Sequence, residues 1–318
     1  MTVGDVSNPY AAEKYATLHQ DESLSFLVIG AGTAGANHTR LLTGLGHAVS
    51  VCDVDLAKAE ALAAKHGATP VREASGNYGA VVVAVPAAMH YDIICEQLEL
   101  GNRVVSEKPL CLREWEAGHL AGEVEAGNLY IAESQCYGGA DGLDIARMRD
   151  RIAAGEFGSP VMWRVCAMTQ WRPQSWCDDL YLGGGAFLEG GVHVLTTARV
   201  LFGEAVRWQG SVRCFSGGLG PDSGTFLIDY AGGHQLTLQI GWGTEGCFAG
   251  ECKPLRNSAG LIGPRQCLDD WWPGDDHAAM WGHLLKCLAG EAEPVATLQH
   301  AACAVQDCWR CYEAAGIV

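Results

Sequence analysis

A glycine pattern near the start of the chain has the spacing of a dinucleotide-binding turn. Gly30, Gly32 and Gly35 form Gly-x-Gly-x-x-Gly between an apolar run and a helical pattern. In that setting the first glycine permits a tight turn, the second lets the backbone approach a pyrophosphate, and the third allows close packing of helix on strand. The anion lies at the helix N-terminus, so Thr33 and Ala34 join the predicted cofactor contacts.

An acid after the next predicted strand indicates which dinucleotide is bound. Asp53 stands 23 residues after Gly30, near the spacing at which a carboxylate binds the ribose diol of NAD. The same carboxylate would repel the 2′-phosphate of NADP. Lys58 follows one helical turn later, but no arginine comes directly after Asp53. We therefore expect NAD as the cofactor, with NADP less favoured.

Alternating strand and helix patterns place this turn in a doubly wound α/β domain. The runs LSFLVIG, AVSVCDVD, YGAVVVAVP, NRVVSEKP and LYIAESQ have the character of strands buried on both faces, and helical patterns such as LAKAEALAAKHG separate them. Such alternation is typical of right-handed βαβ units around a parallel sheet. We predict a Rossmann domain over residues 25–135, preceded by a polar N-terminal arm over residues 1–24.

The second half of the chain has a different pattern. After one helical segment, the runs SPVMWRVCAMTQW, AVRWQGSVRCF, GTFLIDYAGG and HQLTLQIGWG show the alternation of strands, with glycine-rich turns between them. The segment GGGAFLEGGVHVLTTARVLFG predicts a turn leading into a helix, and two helical patterns end the chain. We predict an α+β domain over residues 136–318 with a largely antiparallel sheet.

Composition excludes several classes of protein. The chain has 318 residues and a formal charge of −16, which argues against nucleic acid and anionic membranes as partners. The first residues lack a basic segment followed by an apolar core, so we expect a cytoplasmic protein.

The fourteen cysteines are expected to be reduced thiols in such a compartment. Three of them, Cys303, Cys308 and Cys311, are interpreted as small residues of a C-terminal helix, and no metal site is predicted.

An ordered set of motifs resembles the glucose–fructose oxidoreductase / inositol dehydrogenase (Gfo/Idh/MocA) family. The glycine pattern with Asp53 is followed by VPAAMH, which contains Pro86 and His90, and then by GNRVVSEKPL. The segments GEFGSPV, WRPQSW and GGGAFLEGGVHVL come after them in the family's order. The resemblance extends from about residue 25 to the C-terminus and implies a cofactor site that includes Pro86, His90, Glu107, Lys108 and Pro109.

The resemblance also implies the catalytic residues of an alcohol dehydrogenase. Taken alone, Lys108 could be a solvated charge and His193 a buried core histidine; the resemblance favours catalysis for both. His193 would remove the hydroxyl proton as general base, since histidine ordinarily titrates near neutrality. Lys108 would stabilise the developing alkoxide. Glu189 would hold His193 or a second substrate hydroxyl.

Two positions depart from the family's pattern. Glu189 stands where aspartate is usual, and its carboxylate is one methylene further from the backbone. Thr196 stands where the family often has a second aspartate, three residues after His193. The acidic support around His193 is therefore thinner than in the family.

The family acts on sugars, cyclitols and their derivatives, so the resemblance implies a polyol or sugar substrate. Arg172 and Trp176 are expected to contact it, together with Lys108, Glu189 and His193. Trp176 beside Asp178 and Asp179 also suggests an amino sugar, because aromatic faces attract ammonium groups. The family further implies a homo-oligomer, a dimer or tetramer, formed through the exposed face of the second sheet.

Three functions are compatible with these residues. The first is an NAD-dependent oxidoreductase that transfers hydride between nicotinamide and a secondary alcohol or ketone. The second is a redox-neutral enzyme that holds NAD tightly and oxidises its substrate transiently to cleave a glycosidic bond. The third is a non-catalytic nucleotide- or sugar-binding regulator of the same fold. The presence of both Lys108 and His193 favours the oxidoreductase.

Overall fold

The computed structural model describes residues 24–138, 143–169, 176–177, 179–214, 220–242, 258–269, 271 and 274–318. The predicted N-terminal arm lies outside these residues except for Leu24. Among the described residues, no helix combines the length and apolar character needed to cross a membrane.

The first part of the described chain forms a six-stranded parallel sheet. Its strands are β1 Ser25–Ile29, β2 Ala48–Cys52, β3 Thr69–Val71, β4 Ala80–Val83, β5 Val104–Glu107 and β6 Leu129–Ala132. They lie in the order β3-β2-β1-β4-β5-β6, and all neighbouring pairs are parallel. The connecting helices are α1 Thr33–Gly44, α2 Leu56–His66, α3 His90–Glu99 and α4 Glu114–Glu123. The doubly wound sheet predicted from the alternating pattern is confirmed.

Local sequence signals begin and end these elements. The Asp55 side chain accepts a hydrogen bond from the backbone N–H of Ala57 and so caps the start of α2. Gly67 ends the same helix with a φ of +71°, a left-handed conformation that costs glycine little. The sequence analysis missed β3, which contains Pro70. A proline is tolerated there because β3 is an edge strand.

The second part forms a mixed sheet. Its strands are β7 Met162–Thr169, β8 Ala205–Arg213, β9 Ser223–Tyr230, β10 Gln235–Trp242, β11 Ser258–Ile262 and β12 Cys267–Asp269, in the order β12-β11-β7-β10-β9-β8. Most neighbouring strands are antiparallel, as predicted, but β7 pairs with β10 in parallel. The sequence analysis missed β11 and β12. The other helices are α5 Asp144–Ala153, α6 Val192–Phe202, α7 His277–Leu288 and α8 Leu298–Ala314.

The last two helices contact the first sheet and its connections. The Trp281 ring on α7 packs edge-on against Phe26 of β1, with ring centroids 5.7 Å apart. The Trp309 indole N–H on α8 donates to the backbone oxygen of Leu112 at 2.9 Å. The C-terminal helices therefore help to fix the parallel sheet. The predicted domain limit near residue 135 stays a prediction.

A buried ion pair joins α6 and α8. Arg199 donates two hydrogen bonds to the Asp307 carboxylate, each 2.6 Å long, and Trp208 donates a third at 3.2 Å. Bidentate pairing of this kind compensates for removing both charges from water. Further along α8, Cys308 and Cys311 are buried, in agreement with their interpretation as helix residues. None of the twelve cysteines among the described residues forms a disulfide.

We predict that Gly35→Ala destabilises the protein by about 1–3 kcal/mol, because a Cβ at this position overpacks the turn. An ideal Cβ on Gly35 would lie 1.8 Å from the backbone oxygen of Gly30, whereas one on Gly44 at the end of the same helix would meet nothing within 4 Å. Gly44→Ala is therefore the control and should be neutral or slightly stabilising. Urea denaturation measures both; equal stabilities would contradict the close approach.

Candidate active site and cofactor cleft

A cavity of about 670 Å³ lies at the carboxyl ends of the parallel strands. Ligands bind in this part of doubly wound sheets. Of the residues expected at the site, the lining includes Gly30, Gly32, Thr33, Ala34, Asp53, Pro86, Glu107, Lys108, Pro109, Trp176 and Glu189. Gly35, His90 and His193 are described residues outside this lining. The cleft therefore combines the predicted cofactor turn with two of the three predicted catalytic residues.

The glycine turn is shaped for an anion. Gly30 has a φ of +107°, and its N–H donates to the Cys52 oxygen at 2.8 Å, so it ties the turn to β2. A Cβ on Gly30 would lie 2.2 Å from the Ala84 oxygen. A Cβ on Gly32, by contrast, would meet nothing within 4 Å. Gly32 precedes the first turn of α1 and has no side chain to cap it. The helix N-terminus is thus open to a bound phosphate, and these residues fit a dinucleotide.

Asp53 lies at the end of β2 and lines the same cavity. Its carboxylate accepts the backbone N–H of Ala31 at 2.7 Å and that of Asp55 at 2.8 Å. These bonds fix the carboxylate beside the glycine turn while leaving lone pairs for a ligand hydroxyl. Lys58 also lines the cavity, with its ammonium 3.8 Å from the Asp55 carboxylate.

Lys108 and Glu189 form an ion pair at the cavity wall. The Lys108 ammonium donates to Glu189 Oε1 and to the Glu189 backbone oxygen, both at 2.9 Å. Burial lowers the pKa of Lys108, but the carboxylates of Glu189 and Glu107 outweigh that effect and raise it above its ordinary value. Lys108 is therefore a fixed ammonium group with a third N–H for a ligand.

Glu107 holds the backbone of this lysine. Trp281 donates its indole N–H to His38 Nδ1 at 2.9 Å, and His38 Nε2 lies 2.8 Å from a Glu107 carboxylate oxygen. An indole only donates, so the His38 proton is on Nε2 and is donated to Glu107. The other Glu107 oxygen accepts the Lys108 N–H at 3.1 Å. Burial raises the pKa of Glu107, but the His38 bond and the nearby positive charges lower it to about 2.

His90 connects two walls of the cleft. Its Nδ1 lies 2.7 Å from the Pro109 oxygen, and its Nε2 lies 2.8 Å from the Val85 oxygen. The ring is buried, and this burial lowers the pKa of His90 despite both carbonyl contacts and nearby carboxylates. Because Val85 and Pro109 both line the cavity, His90 shapes the pocket from behind.

His193 lies in the first turn of α6 and pairs with an acid that the sequence analysis did not identify. Its Nδ1 is 2.5 Å from a carboxylate oxygen of Glu133. The sequence analysis assigns Glu189 to hold His193 or a second substrate hydroxyl; in the structure one oxygen of the Glu189 carboxylate bonds to Lys108. Glu133 directly follows β6, the neighbour of β5. The sequence shows only an acid directly after a predicted buried strand, and this signal does not by itself connect Glu133 with His193.

Only some of the other residues expected to contact the substrate lie in the described part of the chain. Trp176 lines the cleft beside Cys177. The backbone N–H of Tyr181 donates to the Asp179 carboxylate at 2.7 Å, so one of its oxygens is already bonded within the protein. Arg172 and Asp178 lie outside the described residues. Within the described chain, no group of three or more His, Cys, Asp or Glu side chains is arranged to hold a metal ion.

Two family profiles match this chain. The profile described as "Oxidoreductase family, NAD-binding Rossmann fold" matches residues 24–131. The profile described as "GFO/IDH/MocA C-terminal domain" matches residues 145–253. The profile of the NAD-binding fold thus precedes the C-terminal profile along the chain.

Curated relatives match over part of their length. An inositol 2-dehydrogenase of Arthrobacter sp. (strain FB24) is 37% identical over 98 residues, which are 28% of this chain and 29% of the relative. A scyllo-inositol 2-dehydrogenase (NAD(+)) of Bacillus subtilis (strain 168) is 28% identical over 188 residues, 56% of this chain and 54% of the relative. The chain thus spans about three tenths of the first and about half of the second.

Solved structures share the fold over almost the whole chain. GenD2 from gentamicin A biosynthesis, solved in complex with NAD, has a TM-score of 0.76 and is 22% identical; the match covers 94% of this chain and 95% of that one. At this identity the likeness shows the fold alone.

We predict that Glu107→Gln lowers stability at pH 7 by about 3 kcal/mol, because the folded protein favours the ionised carboxylate. The pKa of Glu107 is about 2, against an ordinary 4.5. The contribution is therefore complete above pH 4.5 and is lost as the pH falls towards 2. Urea unfolding of wild type and variant between pH 7 and pH 3 should show the gap narrowing. Glu99→Gln, at an exposed position of α3, is the control; a gap independent of pH would refute the assignment.

Proposed function

The chain belongs to the GFO/IDH/MocA oxidoreductase family, and we propose that it transfers a hydride between NAD and a secondary alcohol or ketone of a sugar, cyclitol or amino sugar. The observation that carries this proposal is the shared cavity. Its lining includes the glycine turn and Asp53 at one wall and the Lys108–Glu189 pair at another. A dehydrogenase needs a dinucleotide site and a proton-handling site side by side.

The cofactor end is assigned to residues of the first sheet. Bound NAD supplies the two-electron acceptor for the hydride. The open position at Gly32 and the first N–H groups of α1 would hold its pyrophosphate. Asp53 would accept the hydroxyls of the adenosine ribose and disfavour the 2′-phosphate of NADP. Lys58 is an exposed lysine 3.8 Å from the Asp55 carboxylate, and no arginine directly follows Asp53 to bind a 2′-phosphate.

At the substrate end, Lys108 is assigned the role of electrostatic stabiliser. Its ammonium group is held by Glu189, and its raised pKa keeps it charged near neutrality. It would donate a hydrogen bond to the reacting oxygen as negative charge develops there. Glu189, with one oxygen on Lys108, has a second oxygen for a neighbouring hydroxyl of a polyol. A substrate with several adjacent hydroxyls suits such a pair.

His193 is assigned the role of general base. In the oxidation direction it would accept the hydroxyl proton at Nε2, since Nδ1 is directed at Glu133. In the reduction direction the same nitrogen would return the proton. The names of the curated relatives support a cyclitol or sugar as substrate. They give no support to the redox-neutral enzyme or to the non-catalytic regulator. A homo-oligomer and a cytoplasmic location stay predictions.

We predict turnover of at least one cyclitol, sugar or amino sugar with NAD, measured as reduced nicotinamide absorbance over a panel of these compounds. NADP should give a lower kcat/KM than NAD, because the Asp53 carboxylate would repel the 2′-phosphate of NADP. Lys108→Ala should lower kcat by at least about 100-fold, since the alkoxide loses its stabilising charge, whereas the Kd for NAD, measured by calorimetry, should change much less than kcat.

The matched control is Lys65→Ala, which removes an exposed lysine in the last turn of α2. It should leave turnover unchanged. Full activity of Lys108→Ala would refute the assigned role. NAD binding without turnover of any compound in the panel, by wild type and control alike, would count against the proposed reaction.

A further inference from the structure

Glu133 is a buried carboxylate whose position is explained by His193. Its side chain has no solvent exposure, and one oxygen lies 2.5 Å from His193 Nδ1. The same oxygen accepts the Gln135 N–H at 3.3 Å. Its second oxygen is buried without a hydrogen-bond partner among the described residues. Burying a carboxylate is costly unless strong hydrogen bonds compensate, so the short bond to the imidazole is the main compensation that the described residues provide.

The contact fixes the chemical form of His193. An ionised carboxylate can only accept hydrogen bonds, so the proton of a neutral His193 must be on Nδ1. The lone pair is then on Nε2, the nitrogen that faces away from Glu133. A base that acts through Nε2 needs this tautomer, because the lone pair on Nε2 binds the proton that the base accepts.

Neither Glu189 nor residue 196 gives His193 a hydrogen-bonded acid in the described structure. The Glu189 carboxylate is engaged by Lys108 at 2.9 Å. Thr196, at the position where the family often has aspartate, cannot carry a negative charge. Glu133 approaches instead from the end of β6, beside β5 and Lys108. The acid that orients the base thus comes from the parallel sheet rather than from the helix of His193.

We propose that Glu133 is the positioning residue of the base: it holds His193 with Nε2 available to the substrate and stabilises the imidazolium after proton uptake. This inference rests on the proposed function. In the oxidation direction the hydroxyl proton moves to Nε2, Nδ1 keeps its own proton, and Glu133 remains a carboxylate throughout. Glu133 does not touch the reacting atoms.

Several charged groups surround the base and contribute to its pH dependence. Glu133 faces it from β6, and His277 on α7 interacts with it electrostatically. Lys108 follows β5, and Glu189 lies one turn before His193 on the same segment. Of these groups, Glu133 accepts the hydrogen bond from His193 Nδ1 that reports on the tautomer. Replacing its carboxylate by an amide removes one negative charge at that contact.

The test is Glu133→Gln in the full chain. We expect kcat for the best panel substrate to fall by at least about 100-fold, in the range of a lost general base, with KM and NAD affinity changed less than threefold. We also expect a shift in the pH dependence of kcat/KM: the fall in kcat/KM on the acidic side should occur at lower pH in the variant. The reason is that the variant lacks the Glu133 carboxylate, whose negative charge favours the protonated His193. If Glu133 were only structural, its replacement would not shift the acidic side of the pH profile of kcat/KM. It would also not lower kcat selectively while KM stays nearly constant.

A spectroscopic readout separates this inference from the proposed function. Nitrogen-15 shifts of the histidine side chains, assigned with His193→Gln, should report a single Nδ1–H tautomer for His193 in wild type. In Glu133→Gln the Nε2–H tautomer should appear. Asp307→Asn is the control: it removes another buried carboxylate, on α8, whose hydrogen bonds go to Arg199 and Trp208. It should lower stability but leave the tautomer unchanged.

The outcomes are distinguishable. An unchanged tautomer and kcat in Glu133→Gln would overturn the inference and leave the oxidoreductase proposal intact. Failure of wild type to oxidise or reduce any panel compound would count against the proposed function, whereas the tautomer measurement would still decide whether Glu133 sets the form of His193.

Discussion

The ion pair between Lys108 and Glu189 joins the two halves of the chain at the cleft. Lys108 follows β5 of the parallel sheet, and Glu189 belongs to the π-helical turn Phe187–Gly191 before α6. Both side chains are largely buried, so each charge depends on the other for compensation. Any cofactor on the glycine turn therefore lies in the same cavity as a charged group from each half.

The parallel topology explains why so many charged residues meet there. The carboxyl ends of β2, β5 and β6 are followed by Asp53, Lys108 and Glu133, which are far apart in sequence but lie along one edge of the sheet. Trp281 and His38 fix Glu107, whose other carboxylate oxygen accepts the backbone N–H of Lys108. A buried carboxylate without such partners would shift towards its neutral form. Here the partners keep the charges in place before any ligand arrives.

Much of the fold and part of the site could be predicted from the sequence. The apolar strand runs predict the parallel sheet, and the glycine spacing with Asp53 predicts the dinucleotide-binding turn. Each of these predictions is possible because its signal lies within a short stretch of sequence. Glu133 could not be assigned, since its role depends on β6 lying beside β5 and on α6 presenting His193 to it. The pairing of Glu189 with Lys108 likewise depends on how the π-helical turn meets the sheet. The resemblance left Glu189 to hold either His193 or a substrate hydroxyl, and the structure places one of its carboxylate oxygens on Lys108.

The proposed NAD site lies in the cleft beside the glycine turn, and a substitution at Gly32 tests it. Its Cβ position is free of protein atoms within 4 Å, so Gly32→Ala should change the free energy of unfolding by less than about 1 kcal/mol. The new methyl group would occupy the space assigned to the pyrophosphate. Calorimetric titration with NAD should therefore show at least a tenfold higher Kd for a stably folded Gly32→Ala variant. An unchanged Kd in that variant would contradict the account, because the dinucleotide would then bind elsewhere.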